Sequence, residues 1–237
     1  MLKKALEYLV GLNKPHFEEI HGDTYSDKEL HRIDTYYPKA ARIYLSTLTG
    51  LIDYIKSETD EMAKKMIIEV ASPETVLLYS QLNPNRDREN LVAVEAQLPE
   101  FKFNSFYDQE HFCISLQSKF IKNEDRDLLL KFAGTVEAGT VAQYGDDGVS
   151  QKATIKTSIT SKSEVLVPNP VKLQPYRTFL EVEQPESAFI FRMKEGSGVA
   201  CAIFEADGGA WKMEAMQNVK AYLQEELKEY PQFTIIA

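Results

Sequence analysis

The stretch Phe189-Ile190-Phe191-Arg192-Met193-Lys194, Glu195-Gly196-Ser197-Gly198, Val199-Ala200-Cys201-Ala202-Ile203-Phe204 reads as two strands joined by a glycine turn. Directly after it the period changes. Asp207-Gly208-Gly209 opens a helix in which Met216, Val219, Leu223 and Leu227 recur on one face, with Asp207 as the expected cap. A hairpin followed at once by an amphipathic helix predicts an α+β chain. Working backward, Val141–Tyr144, the turn Gly145–Gly148 and Val149–Thr160 predict another antiparallel hairpin. Pro168, Pro170 and Pro175 then punctuate the path to a third strand over Tyr176–Gln184. Working forward, Phe233–Ile236 predicts a closing strand at a sheet edge.

The first half has a different texture. Leu2, Leu6, Leu9 and Val10 share one face of a short helix ended by Gly11 and Pro15, and residues 16–38 predict an extended arm with a short strand near Arg32–Tyr36. A strand is expected over Ala40–Leu45. Ser46 or Thr47 then offers a capping hydroxyl to a helix whose Leu48, Leu51, Ile52 and Ile55 face the core. Strands follow at Met66–Ala71, Val76–Leu82 and Leu91–Leu98, the last two joined by the polar run Asn83–Arg88. Asp108 and Asn123 each stand where a helix cap is needed, before Phe112, Leu116 and Phe120 and before Leu129, Phe132, Ala133 and Val136. The expected organisation is an N-terminal helix and arm (1–37), a mixed α/β lobe (38–138), and a mainly antiparallel β lobe with a long C-terminal helix (139–237).

Of the 237 residues, 43% are hydrophobic and 27% charged, a balance that favours a packed core over disorder. No apolar run approaches the roughly 20 residues of a membrane span, since Ile43–Ile55 is broken by Ser46, Thr47, Thr49, Gly50 and Asp53. Met1-Leu2-Lys3-Lys4 starts basic, but Glu7 follows and no small-residue cleavage site appears, so no export signal is expected. Cys113 and Cys201 stand alone in apolar surroundings and read as buried thiols of a cytoplasmic protein. The net charge of −9 argues against a general nucleic-acid grip, whose affinity comes mainly from neutralising phosphates.

Several unusual peptides occur in order in the second half: Tyr144-Gly145-Asp146-Asp147-Gly148-Val149-Ser150-Gln151, Val167-Pro168-Asn169-Pro170-Val171, Pro175-Tyr176-Arg177-Thr178-Phe179, Glu181-Val182-Glu183-Gln184-Pro185 and Phe204-Glu205-Ala206-Asp207-Gly208-Gly209-Ala210-Trp211. In these the chain resembles the YfdQ-like proteins of temperate phages and prophages, over about Tyr25 to the C-terminus. The resemblance implies a phage or prophage origin and expression inside a bacterial host. That family carries no assigned activity, so the resemblance transfers no catalytic residue.

Four groups of residues are candidates for chemistry. Helix, three strands, helix, with Glu74 opening the second strand and Glu95 and Gln97 on the third, is the order of a PD-(D/E)xK-type nuclease, in which paired carboxylates would hold Mg²⁺. Here Gln97 stands where such an enzyme places lysine, and the plain alternative is a set of exposed strand carboxylates. Alternation along Lys152, Thr154, Lys156, Ser158, Thr160 and Lys162 sets ammonium and hydroxyl groups on one strand face, suited to phosphates or to a merely solvated surface. Tyr176, Arg177 and Arg192, with Glu181, Glu183 and Gln184, form a third group. Arg192 is expected across from one of those glutamates, as an ion pair or as part of a ligand or subunit contact. His21 and His31 with Asp23 or Asp34 lack any metal-ligand spacing. Trp211, in the first helical turn, reads as a packing anchor.

The leading expectation is a non-catalytic, homo-oligomeric binding protein acting on a host protein, a nucleotide signal or a nucleic acid. Its ligand residues are sought among Lys152, Lys156, Tyr176, Arg177 and Arg192, and no cofactor or membrane is involved. The alternatives are a Mg²⁺-dependent phosphodiesterase on Glu74, Glu95 and Gln97, and a single-strand nucleic-acid-binding accessory protein.

Overall fold

The computed structural model describes residues 2–11, 14–29, 38–60, 62, 65–141, 152–156, 162–166, 169–195 and 198–237, with the backbone alone for 137–141, 152–156, 162–166 and 195. The chain divides into two compact units, 1–39 and 40–237. The expected strand near Arg32–Tyr36 and the turn Gly145–Gly148 lie outside the described residues.

In the first unit, α1 (Leu2–Gly11) carries an apolar face that is wholly exposed, Leu2, Leu6, Leu9 and Val10 included. The expected extended arm is instead a hairpin, β1 (Phe17–Ile20) and β2 (Asp23–Ser26), in antiparallel register. Its two-residue turn needs positive φ at both positions. His21 (φ 55°) and Gly22 (φ 90°) supply it.

The second unit is an α+β fold. Strand β3 (Ile43–Leu45) leads into α2 (Leu48–Ser57), where the Thr47 hydroxyl accepts from Gly50 N–H at 3.1 Å and Leu48, Leu51, Ile52 and Ile55 are all buried. Strands β4 (Met66–Ser72), β5 (Thr75–Ser80) and β6 (Asn90–Glu95) form an antiparallel meander. Alternate burial of Met66, Ile68 and Val70 turns one face of β4 to the core. Next come a short β7 (Tyr107–Asp108), α3 (Gln109–Lys119) and α4 (Glu124–Thr135), with Asp108 and Asn123 accepting from the backbone N–H of His111 and Arg126 as the caps require. Strands β8 (Val136–Val141), β9 (Lys152–Lys156) and β10 (Lys162–Leu166) form a small antiparallel sheet. Strands β11 (Val171–Leu173), β12 (Ser187–Glu195) and β13 (Val199–Glu205) form a second one, in the order β11-β12-β13-β7. The long helix α5 (Trp211–Glu226) and β14 (Phe233–Ile236) close the chain.

These last elements return to the first half. β14 pairs in parallel with β4, and β3 pairs in parallel with β6, giving a mixed sheet in the order β14-β4-β5-β6-β3 with both parallel strands at its edges. One core lies between this sheet and α2 and α5, with Leu51, Ile68, Leu78, Val94, Val219 and Leu223 inaccessible. The other lies between α3, α4 and the β11–β13 sheet, around Phe112, Leu116, Leu129, Phe189, Phe191 and Cys201. Each core draws residues from both sides of residue 138. Among the described residues no helix is long and apolar enough to cross a membrane.

Two local expectations are corrected. Tyr176–Gln184 forms no strand, because the buried Gln184 takes the bonds a ladder would supply. Its Oε1 accepts from Arg177 and Thr178 N–H at 3.0 and 3.1 Å, and its Nε2 donates to Phe179 O at 2.9 Å. The segment is a folded loop joining the cores: Tyr176 N–H donates to Lys119 O at 3.0 Å, and Phe179 is buried in the first core. Asp207 is not the cap of α5, because positive φ at Gly208 and Gly209 turns the chain before the helix starts at Trp211. Its carboxylate accepts instead from Gly209 N–H at 3.0 Å and from the Ser187 hydroxyl at 2.7 Å.

Candidate functional site

Where the folded loop passes the start of α5 it walls a cavity of about 870 Å³, within the range of small-molecule sites. Five stretches supply the rest of the wall: the β4–β5 turn with Pro73 and Glu74, the segment Leu98–Phe103, Lys119 at the end of α3, Glu205 at the end of β13, and α5. Phe101 and Phe103 form the aromatic side. Phe101 stacks on Tyr107 (centroids 5.1 Å) and Phe103 on Phe189 (5.4 Å), so both rings are held by the second core.

Arg177 is the electrostatic centre of the wall. Its side chain is only 6% exposed, and its Nη1 donates to Glu205 Oε1 at 3.2 Å while Nη2 donates to the Ser187 hydroxyl. The Ser187 hydroxyl donates in turn to Asp207 Oδ2 at 2.7 Å, so a second carboxylate is linked to the guanidinium through a hydroxyl. The guanidinium lies 3.9 Å from the centre of the Trp211 ring, a close cation–π contact, and 5.7 Å from that of Phe189. Burial pushes the Arg177 pKa down to about 10, against the opposing pull of Asp207, Glu205 and Glu214. At Asp207, burial works to raise the pKa, but the bonds from Ser187 and Gly209 and the nearby Arg177 charge together bring it below its ordinary value.

Among the described residues, two donors in this wall have no acceptor. Arg177 Nε and Trp211 Nε1 are buried without a hydrogen-bond partner, and both residues line the cavity. An unmet buried donor costs roughly 1–3 kcal/mol, so such groups are seldom left in place without reason. At the rim, Lys119 Nζ donates to Glu100 O at 2.6 Å, and Lys212 lies 5.9 Å from the Trp211 ring centre. Neither lysine makes an ion pair among the described residues, whereas Glu100 faces Lys102 at 3.8 Å and Glu205 faces Arg177.

Of the residues singled out in the sequence, Tyr176, Arg177, Glu74 and Trp211 line this cavity. Arg192 does not. It lies on β12 opposite Ala202, not across from Glu181 or Glu183, and donates to Phe191 O at 3.1 Å. Glu181 instead accepts from Thr49 N–H at 3.3 Å in the first turn of α2. Glu74 belongs to the β4–β5 turn, while Glu95 and Gln97 line a separate depression of about 460 Å³ beside Tyr44 and Thr47. Lys152 and Lys156 stand on β9, with Lys156 in register opposite Lys162, and their side chains lie outside the description. Among the described residues no cluster of three or more His, Cys, Asp or Glu is placed to hold a metal ion.

Sequence reasoning did not find Lys119, Lys212, Phe101, Phe103 or Glu205 as wall residues. They come from four separated stretches, and no spacing rule links them. Trp211 was legible only as a packing anchor, which its burial supports. Comparison with family models, with curated proteins and with solved structures finds no match to this chain.

Proposed function

We propose that this chain is a non-catalytic binding protein whose ligand enters the cavity between the 174–187 loop, the Phe101–Phe103 segment and the start of α5. One observation carries the reading: a buried arginine, braced by Glu205, Ser187 and Trp211, lines a cavity of ligand size and leaves an N–H unmet beside a second unmet donor. Arginine held this way is preorganised to bind, since its orientation is set before a ligand arrives. With the family resemblance added, the protein is read as a phage-encoded accessory factor working in the cytoplasm of a bacterial host. The parallel edge strands β3 and β14 and the uncovered face of α1 support a homo-oligomer, because both are surfaces that a second copy would cover.

Native mass spectrometry of protein purified from its bacterial host is the test. A ligand mass that is present in the folded protein and lost on denaturation is expected. Its absence, together with an unchanged Trp211 emission across a library of small anions and neutral compounds, would refute the reading. Light scattering should give a multiple of the 27.0 kDa chain at micromolar concentration. With Mg²⁺ or Mn²⁺, DNA and RNA should remain intact, and cleavage abolished by Glu95→Ala would promote the nuclease instead.

A further inference from the structure

Natural sheets guard an open edge with short strands, charge, proline or a bulge. In the second unit the edge strands β3, β7 and β11 run to three residues or fewer, and β8 and β10 carry Glu137, Lys162 and Glu164. β14 has none of these guards. Phe233-Thr234-Ile235-Ile236 holds no charge and no proline, and it follows β4 in unbroken register. Among the described residues no strand lies on its outer side. Met66 N–H donates to Gln232 O at 2.9 Å, so in this parallel ladder residues 232, 234 and 236 turn their backbone groups to β4. Ile235 N–H and C=O therefore point outward. The side chains add a second feature. Ile235 stands in register with Ile68, Ile68 with Leu78 and Leu78 with Val92. Three members of this row are inaccessible, and Ile235, at the open end, is half-buried.

Resting on the homo-oligomer reading, we propose that the partner is a second copy of this chain, joined β14 to β14 in antiparallel fashion about a two-fold axis at Ile235. The edge is complementary to itself in that register. Each Ile235 N–H meets the C=O of Ile235 of the partner subunit, which makes a hydrogen-bonded pair on the axis. The row Val92, Leu78, Ile68, Ile235 then meets its own copy, and the apolar core runs on across the axis without a polar break. On the other face the exposed Thr234 comes opposite Ile236 of the partner subunit, and Ile236, 45% exposed in the single chain, gains a cross-strand neighbour. The two five-stranded sheets become one continuous sheet.

The experiment measures mass by light scattering and register by cross-linking, on the full chain. The parent should give twice the 27.0 kDa chain mass. Ile235→Pro removes an N–H that β4 does not use, a place where an edge strand tolerates proline, and should halve that mass with an unaltered circular dichroism spectrum. Leu6→Glu, on the exposed face of α1, should leave the mass unchanged. Residues 234 and 236 face each other across the axis with Cα atoms about 4.5 Å apart, within disulfide reach, whereas identical positions lie about 8 Å apart, beyond it. An equimolar mixture of Thr234→Cys and Ile236→Cys proteins should therefore form a reducible covalent dimer on mild oxidation, and either protein alone, like the parent, should not. The cross-linking arm decides the matter even if Ile235→Pro fails to fold. An oligomer that the folded Ile235→Pro variant leaves intact, one dissociated by Leu6→Glu instead, or a mixture that does not cross-link would overturn the β14 pairing and leave the homo-oligomer standing. A monomeric parent would remove both.

Discussion

Replacing Arg177 with methionine should leave the fold at least as stable as the parent. The guanidinium falls from 12.5 to about 10 on folding, which corresponds to roughly 3 kcal/mol of unfavourable charge burial. The sign follows from the depressed value of a base. The penalty is present in full below about pH 10 and fades only as pH climbs from there toward 12.5, so it is constant across the neutral range. Methionine removes that burial and keeps an apolar, polarizable contact on Trp211. It forfeits the bonds to Glu205 and Ser187, worth about 1 kcal/mol each. Glu205, a third exposed, then returns to water at little cost. The expected balance is a change between about 0 and 2 kcal/mol in favour of the variant. Glu205→Gln should act oppositely. It leaves the buried charge without its carboxylate and should destabilise by about 1–2 kcal/mol, below the 3–5 of a fully buried pair because one partner is partly solvated. The assay is urea unfolding followed by circular dichroism at pH 7 and pH 8. A loss of more than about 3 kcal/mol in Arg177→Met would show that Arg177 is a structural clamp, and the argument for a binding residue held at a cost in stability would fail.

Three further outcomes are expected. Gln184→Ala should cost about 2–4 kcal/mol, because Arg177 N–H, Thr178 N–H and Phe179 O lose their partner together, and denaturant melts should show it as a lower midpoint with an unchanged slope. Thr47→Ala should cost about 1 kcal/mol through loss of the α2 cap, whereas Thr49→Ala, which leaves that cap in place, should stay within about 0.5 kcal/mol in the same melts. Burial raises both thiols, Cys201 to about 12, so the Cys201 thiolate is scarce at pH 8; iodoacetamide should leave the buried Cys201 unlabelled in the native protein, label the half-buried Cys113 slowly and label both after denaturation, and rapid native labelling of Cys201 would contradict its burial.

The elements that the sequence disclosed are those governed by local rules. The stripe Leu48, Leu51, Ile52, Ile55 and the caps Thr47, Asp108 and Asn123 were readable because helical period and capping chemistry act within a few residues. The hairpin of Phe189–Phe204 was readable for the same reason. Tyr176–Gln184 misled, since its aromatic and β-branched residues suit a strand while the glutamine at its own end captures the backbone. The arm of residues 17–26 hid a hairpin whose turn is His21-Gly22, a pair that less often marks such turns than Asn-Gly. Of the cavity, Tyr176 and Arg177 were visible as an unusual polar pair. Their partners Glu205, Trp211 and Lys119 were not, because only the tertiary fold brings them together.

The return of β14 to the edge of the first sheet has a consequence for how the chain acquires its shape. β4 gains its outer neighbour, and Met66, Ile68 and Val70 gain Val219, Leu223 and Phe233, only from residues far downstream. On a ribosome, residues 40–95 would therefore emerge with an open edge and an uncovered apolar face, and must wait through the synthesis of α3, α4 and both antiparallel sheets. Contacts of such long sequence separation slow the search for the native state and prolong exposure to aggregation. A circular permutant that places α5 and β14 ahead of β3 would shorten that wait, and should refold faster than the parent with the same final spectrum.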